Sequence, residues 1–135
     1  MRRCAVTSLL EIRLQQLDAL RAVWFDVALV SNAPMAAAVV DECVTEGLPG
    51  HRICVGHVVI WESGPDNPIR SRKAVALHVE AWLHEQQAAE YEQYAANRRG
   101  RDDAGAARYD ELAADYARFA ANARARLQQL QEAQS

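Results

Sequence analysis

The sequence predicts a mainly helical α+β chain, with N-terminal helices, one short strand or hairpin, and a long antiparallel helical hairpin at the C-terminal end. Three observations carry this expectation. After residue 74 alanine is abundant and apolar residues recur at three- and four-residue intervals, the helical period. One β-branched run, Arg52-Ile53-Cys54-Val55-Gly56-His57-Val58-Val59-Ile60-Trp61, is bounded by Gly50 and by Gly64-Pro65. Near the start, Ser8-Leu9-Leu10-Glu11 has the capping-box pattern, a hydroxyl followed three residues later by a carboxylate. The 135 residues fit one domain, 1–135, divided into N-terminal helices over 8–46, a β segment over 51–62 and a helical hairpin over 71–131.

The first helix is expected to run from Ser8 towards Val30, with Leu10, Leu14, Leu17 and Trp24 as one apolar stripe widened by Leu9, Ile12, Leu20, Val23 and Val27. Its end has a competing reading. Trp24-Phe25-Asp26-Val27-Ala28-Leu29-Val30 is rich in aromatic and β-branched residues and also fits a strand. Ser31 or Asn32 then caps a second helix over about 34–46, with Pro34 in its first turn and Gly47 and Pro49-Gly50 ending it. The β segment needs a pairing partner. Three are available: its own second half after a bend at Gly56, the 24–30 segment, or the same strand of a second subunit.

Gly64-Pro65-Asp66-Asn67-Pro68 reads as a connector. A third helix follows over 71–98 and a fourth over 104–131. Arg98 and Arg99 end one, and Asp102 and Asp103 open the next, each complementing a helix dipole. On the fourth helix Tyr109, Leu112, Tyr116, Phe119, Ala123, Leu127 and Leu130 form a narrow seam of coiled-coil type. The short loop makes the two helices antiparallel neighbours.

Composition excludes several classes. A net charge of −3 argues against a surface that binds nucleic acid throughout. Three cysteines, Cys4, Cys43 and Cys54, make no disulfide framework and read as reduced thiols. No apolar stretch is long enough to span a bilayer, and Glu11 and Arg13 interrupt any signal-peptide pattern, so a cytoplasmic location is expected, without membrane contact.

Five constellations bear on function. Cys43, His51, Cys54 and His57 are zinc-type ligands within fifteen residues, but strand alternation points Cys54 away from the two histidines, which favours structural roles and no metal. His78, Glu80, His84, Glu85 and Glu90 lack the Glu-x-x-His pairing of a di-iron bundle and read as a solvated face. Cys54 between Ile53 and Val55 reads as a buried, inert thiol rather than a nucleophile. Arg70, Arg72 and Lys73 at one end of the third helix, and Arg98, Arg99 and Arg101 at the other, are candidates for holding an anion or an acidic partner.

The last is the hairpin seam, which exceeds what one helix covers. It marks an interface formed by Trp61, Tyr109, Leu112, Tyr116, Phe119, Leu127 and Leu130. The expectation is a non-catalytic interaction or regulatory protein without cofactor, a small adaptor, inhibitor or accessory protein of bacterial or phage type, acting on a protein partner and forming a homodimer. The alternatives are a nucleic-acid-associated regulator using the arginine clusters, and a metal-dependent or small-molecule enzyme.

Overall fold

The computed structural model describes residues 11–18, 20–30, 32–45, 50–64 and 66–134. Two strands come first, β1 (Ile12–Asp18) and β2 (Val23–Val30), then helix α1 (Ala33–Thr45). A second strand pair, β3 (His51–Val55) and β4 (Val58–Glu62), leads to two long helices, α2 (Arg72–Arg98) and α3 (Asp103–Gln134). All neighbouring strands are antiparallel, in the order β2-β1-β3-β4.

The long N-terminal helix is corrected by β1 and β2. Its apolar residues also satisfy a period of two over Ile12 and Leu14, both essentially fully buried, with Arg13 between them. Pairing to β3 on one side and β2 on the other satisfies both edges of β1, which no isolated helix pattern reveals. The connection between β1 and β2 was illegible because it lacks glycine and proline. The Asp18 carboxylate instead accepts hydrogen bonds from the backbone N–H groups of Leu20 and Arg21, at 3.1 and 3.3 Å. Ala22 takes a left-handed φ of +56°, a conformation that costs a non-glycine residue about 1 kcal/mol or more. Leu20, assigned by the helical reading to the apolar stripe, is 99% exposed in that turn. The alternative strand reading of 24–30 holds, with one irregularity: the register slips between Leu14↔Ala28 and Gln15↔Asp26, leaving Val27 as the extra residue of a β-bulge. The Ser8-Leu9-Leu10 start of the predicted capping box, and the break at Gly47 and Pro49, lie outside the described residues.

The β segment pairs with its own second half and with β1. Gly56 has φ +61° at the first position of the two-residue turn, the place where a type II′ hairpin needs a positive φ. Asn32 caps α1, its Oδ1 accepting from the Met35 N–H at 3.0 Å. Ser71 caps α2 in the same way, accepting from Ala74 N–H at 3.2 Å. The connector between β4 and α2 is held by Trp61, whose indole N–H donates to the Ile69 carbonyl at 2.7 Å.

One face of the sheet carries the core. Ile12 and Leu14 of β1, Ile53 and Val55 of β3 and Trp61 of β4 pack against Ala36, Ala37 and Val40 of α1 and Val75 and Val79 of α2. Each large apolar side chain buried there contributes roughly 1.5–3 kcal/mol. The α2 contribution to this core ends at Trp82 and Leu83. The remaining 84–98 stretch, about 22 Å long at 1.5 Å per residue, runs past it beside α3.

The helical hairpin stands as expected, with a different contact line. Ala74, Ala81, Ala88 and Ala95 of α2 are buried at a strict seven-residue spacing, and so are Ala106, Ala113, Ala120 and Leu127 of α3. Small side chains at a heptad position let two helix backbones approach closely. The loop between them uses Gly100 at φ +88° and closes with Asp102, whose carboxylate accepts from the Gly105 N–H at 3.0 Å. A Cβ at Gly105 would sit 2.2 Å from the other oxygen of that carboxylate, Oδ2, so the cap and the glycine go together.

Candidate functional site

The alanine heptads occupy the centre of the hairpin, so the large side chains of α3 emerge along one flank. There they meet a matching row from α2. Tyr91 stacks on Tyr109 and Tyr116, with centroids 5.8 and 5.5 Å apart. Tyr94 meets Tyr109 edge-on at 5.4 Å, and His84 lies 5.7 Å from both Tyr116 and Phe119. Phe119 is 43% exposed and the tyrosines are half-buried. Offset and edge-to-face contacts of this kind contribute about 0.5–1.5 kcal/mol beyond burial, so the row is ordered as well as accessible. Arg98 lies over the Tyr109 ring at 4.8 Å, and Arg118 over Phe119 at 5.6 Å. At the base of the flank Glu80, His84, Phe119, Asn122, Ala123 and Arg126 line a shallow groove.

The predicted interface residues therefore divide. Tyr109, Tyr116 and Phe119 share the flank, and Leu112 and Leu130 are half-buried on the same helix. Leu127 is 5% exposed in the seven-residue series between the helices, and Trp61 is 5% exposed in the core beneath the sheet, so neither side chain is presented for a partner.

The arginine clusters are engaged within the chain. Arg72 donates to Asp41 at 3.0 Å, Arg99 to Asp110 at 3.0 and 3.3 Å, and Arg101 to the Asn97 carbonyl. Arg70 has a partner as well, while Lys73 is exposed. The two clusters stay at opposite ends of α2, roughly 40 Å apart.

The zinc-type residues are not brought together. In the β1–β3 register His51 shares the core face with Ile53 and Val55, while Cys54 stands opposite Arg13 on the outer face. His57 lies in the exposed turn, and the Cys43 side chain lies outside the described ones. Among the described residues no three His, Cys, Asp or Glu side chains are grouped to hold a metal ion. The Cys54 thiol is buried and sits 3.4 Å from Gln15 Oε1, within a polar network across three strands. Gln15 donates to Asp26 at 2.8 Å and accepts from Arg52 at 2.7 Å, while the Arg52 guanidinium covers Trp24 at 4.2 Å.

A second network, missed in the sequence, fixes the hairpin to the sheet. His78 Nε2 donates to the Ile60 carbonyl at 2.6 Å, which leaves Nδ1 to accept from Arg124 at 3.1 Å. The same guanidinium donates to both Glu85 oxygens at 3.1 and 2.9 Å, and this hydrogen bonding holds the Glu85 carboxyl below its usual range. Glu85, Arg124 and His78 carry no linear motif, because the partners come from two helices and a strand.

His51 gives a pH-dependent expectation. It is 1% exposed, and its Nε2 has no hydrogen-bond partner among the described residues. Burial lowers its pKa below the ordinary value of about 6.5. With the folded value depressed, the unfolded chain binds more protons as the pH falls below about 6.5, so this contribution to stability is complete above that pH and is lost beneath it. Urea midpoints measured between pH 7.5 and 5 should fall for the wild type and flatten for His51→Leu. Equal slopes would show that His51 protonates freely in the folded chain. Loss of the Glu85 carboxylate belongs to a separate window, below the ordinary carboxylate range.

No protein family, curated protein or solved structure matches this chain. Among the described residues, no helix is long and apolar enough to cross a membrane.

Proposed function

We propose that this chain is a non-catalytic interaction protein that works as a homodimer through the aromatic flank of its helical hairpin. The observation that carries the reading is the ordered, half-exposed row of His84, Tyr91, Tyr94, Tyr109, Tyr116 and Phe119. The alanine series lies buried beside them, and the rings, though they also pack across α2 and α3, keep part of their surface open to a partner. Rigid aromatic side chains supply large contact area at low entropic cost, which is why they concentrate in protein interfaces. The arginines that a nucleic-acid reading requires have partners within the chain, which counts against that alternative.

Light scattering at micromolar concentration tests the proposal. The expected mass is about 30 kDa, twice the 15.0 kDa of one chain. Tyr116→Asp, which places a charge in the middle of the flank, should return it to the single-chain value while helix content by circular dichroism is retained. A wild-type mass of 15.0 kDa at every concentration overturns the homodimer.

A further inference from the structure

The α2 side of the flank has a symmetry of its own. Glu80, His84, Gln87, Tyr91, Tyr94 and Arg98 are spaced alternately by four and three residues, the spacing of a coiled-coil seam. This line runs beside the buried alanine series, and its rings His84, Tyr91 and Tyr94 touch α3 on one side while remaining only half-buried. Read in reverse, the spacing is unchanged. Glu80 and Arg98 lie equally far from its midpoint, as do His84 and Tyr94, and Gln87 and Tyr91.

The charges obey the same symmetry. Glu80 borders the flank at its base, beside His84 and Phe119, and has no hydrogen-bond or ion-pair partner among the described residues. Arg98 borders it at the tip, over Tyr109, with a long 3.9 Å contact to Asp102. The two are about 27 Å apart along the helix.

We infer that the partner on this flank is a second copy of the chain laid antiparallel, α2 against α2, about a two-fold axis level with Ala89. The inference rests on the proposed homodimer and specifies its geometry. An isologous contact must be self-complementary, and the antiparallel arrangement meets that condition. It sets Glu80 of each copy against Arg98 of the other, His84 against Tyr94, and Gln87 against Tyr91. The projecting ends of the two hairpins then lie along each other's bases and form a four-helix bundle. A parallel pairing instead faces Glu80 with Glu80 and Arg98 with Arg98, which is repulsive at both ends.

Charge reversal tests this, using the full chain and the dimer dissociation constant from sedimentation equilibrium at low salt. Glu80→Arg and Arg98→Glu should each weaken self-association by about tenfold, because each turns two attractive pairs into repulsive ones. The double variant should restore it, and mixing the two single variants should yield a heterodimer. Both positions are solvent-accessible, and unchanged circular dichroism spectra will show that the singles fold. A wild-type dimer that neither single reversal weakens overturns the antiparallel arrangement and leaves the homodimer itself standing. A wild-type chain that never dimerises overturns both.

Discussion

Leu14→Ala is expected to destabilise the chain by about 3 kcal/mol, while Leu17→Ala should cost about 1 kcal/mol or less. The two residues share one stripe in a helix and opposite faces in a strand, so the pair separates the two conformations. Leu14 is fully buried against α1 and opposite Ile53, where truncation leaves a cavity in a core contributed by strands and both helices. Leu17 stands on the other face, opposite Trp24, and is only half-buried. Denaturant unfolding of both variants gives the comparison. Equal costs would contradict the strand.

Ala88→Leu is expected to cost about 2 kcal/mol, within the range for forcing extra methylenes into a close-packed contact. The effect should be local. Ala88 lies beyond the last α2 residue of the sheet core and beside Ala117, Ala120 and Ala121 of α3, so the larger side chain separates the helices where they have only each other. Hydrogen exchange should therefore quicken in α2 beyond residue 88 and in the facing part of α3, with β1 and β3 unchanged. Ala96→Leu, at an exposed position on the same helix, should stay within about 0.5 kcal/mol of wild type. Comparable losses at both positions would show that the alanine series is not the helix contact.

The candidate surface was partly legible. The α3 row is a regular three-four repeat, and Tyr109, Tyr116 and Phe119 do share one side of the hairpin. Their exposure was not legible, because the same spacing serves a buried seam or an open one. Alanine at every seventh residue of α2, and at 106, 113 and 120 of α3, is the available signal: a small-residue heptad takes the central contact and displaces larger neighbours to the flank. Trp61 reads as an interface residue because its strand lacks an evident partner in the sequence; the pairing of β4 with β3 supplies that partner, and Trp61 is buried in the core.

By itself the sequence determined the elements whose signals are local. The helix start near Ser71, a cap at Ser31 or Asn32 and the Arg98–Asp103 reversal each depend on a few adjacent residues and their hydrogen bonds or dipoles, whereas the bend at Gly56 stands in the sequence as one of three possible pairings. The tertiary structure alone decided the conformation of residues 12–30. Leu14, Leu17 and Trp24 satisfy the helical period while Ile12 and Leu14 satisfy the strand period, and the intervening turn uses Asp18 and a left-handed Ala22 in place of glycine. Burial of Ile12 and Leu14 and the pairing of β1 with β3, some forty residues away, resolve the tie. Backbone groups in a sheet are satisfied by distant segments, whereas those of a helix are satisfied within four residues, so the helices were readable in place and the first two strands were not.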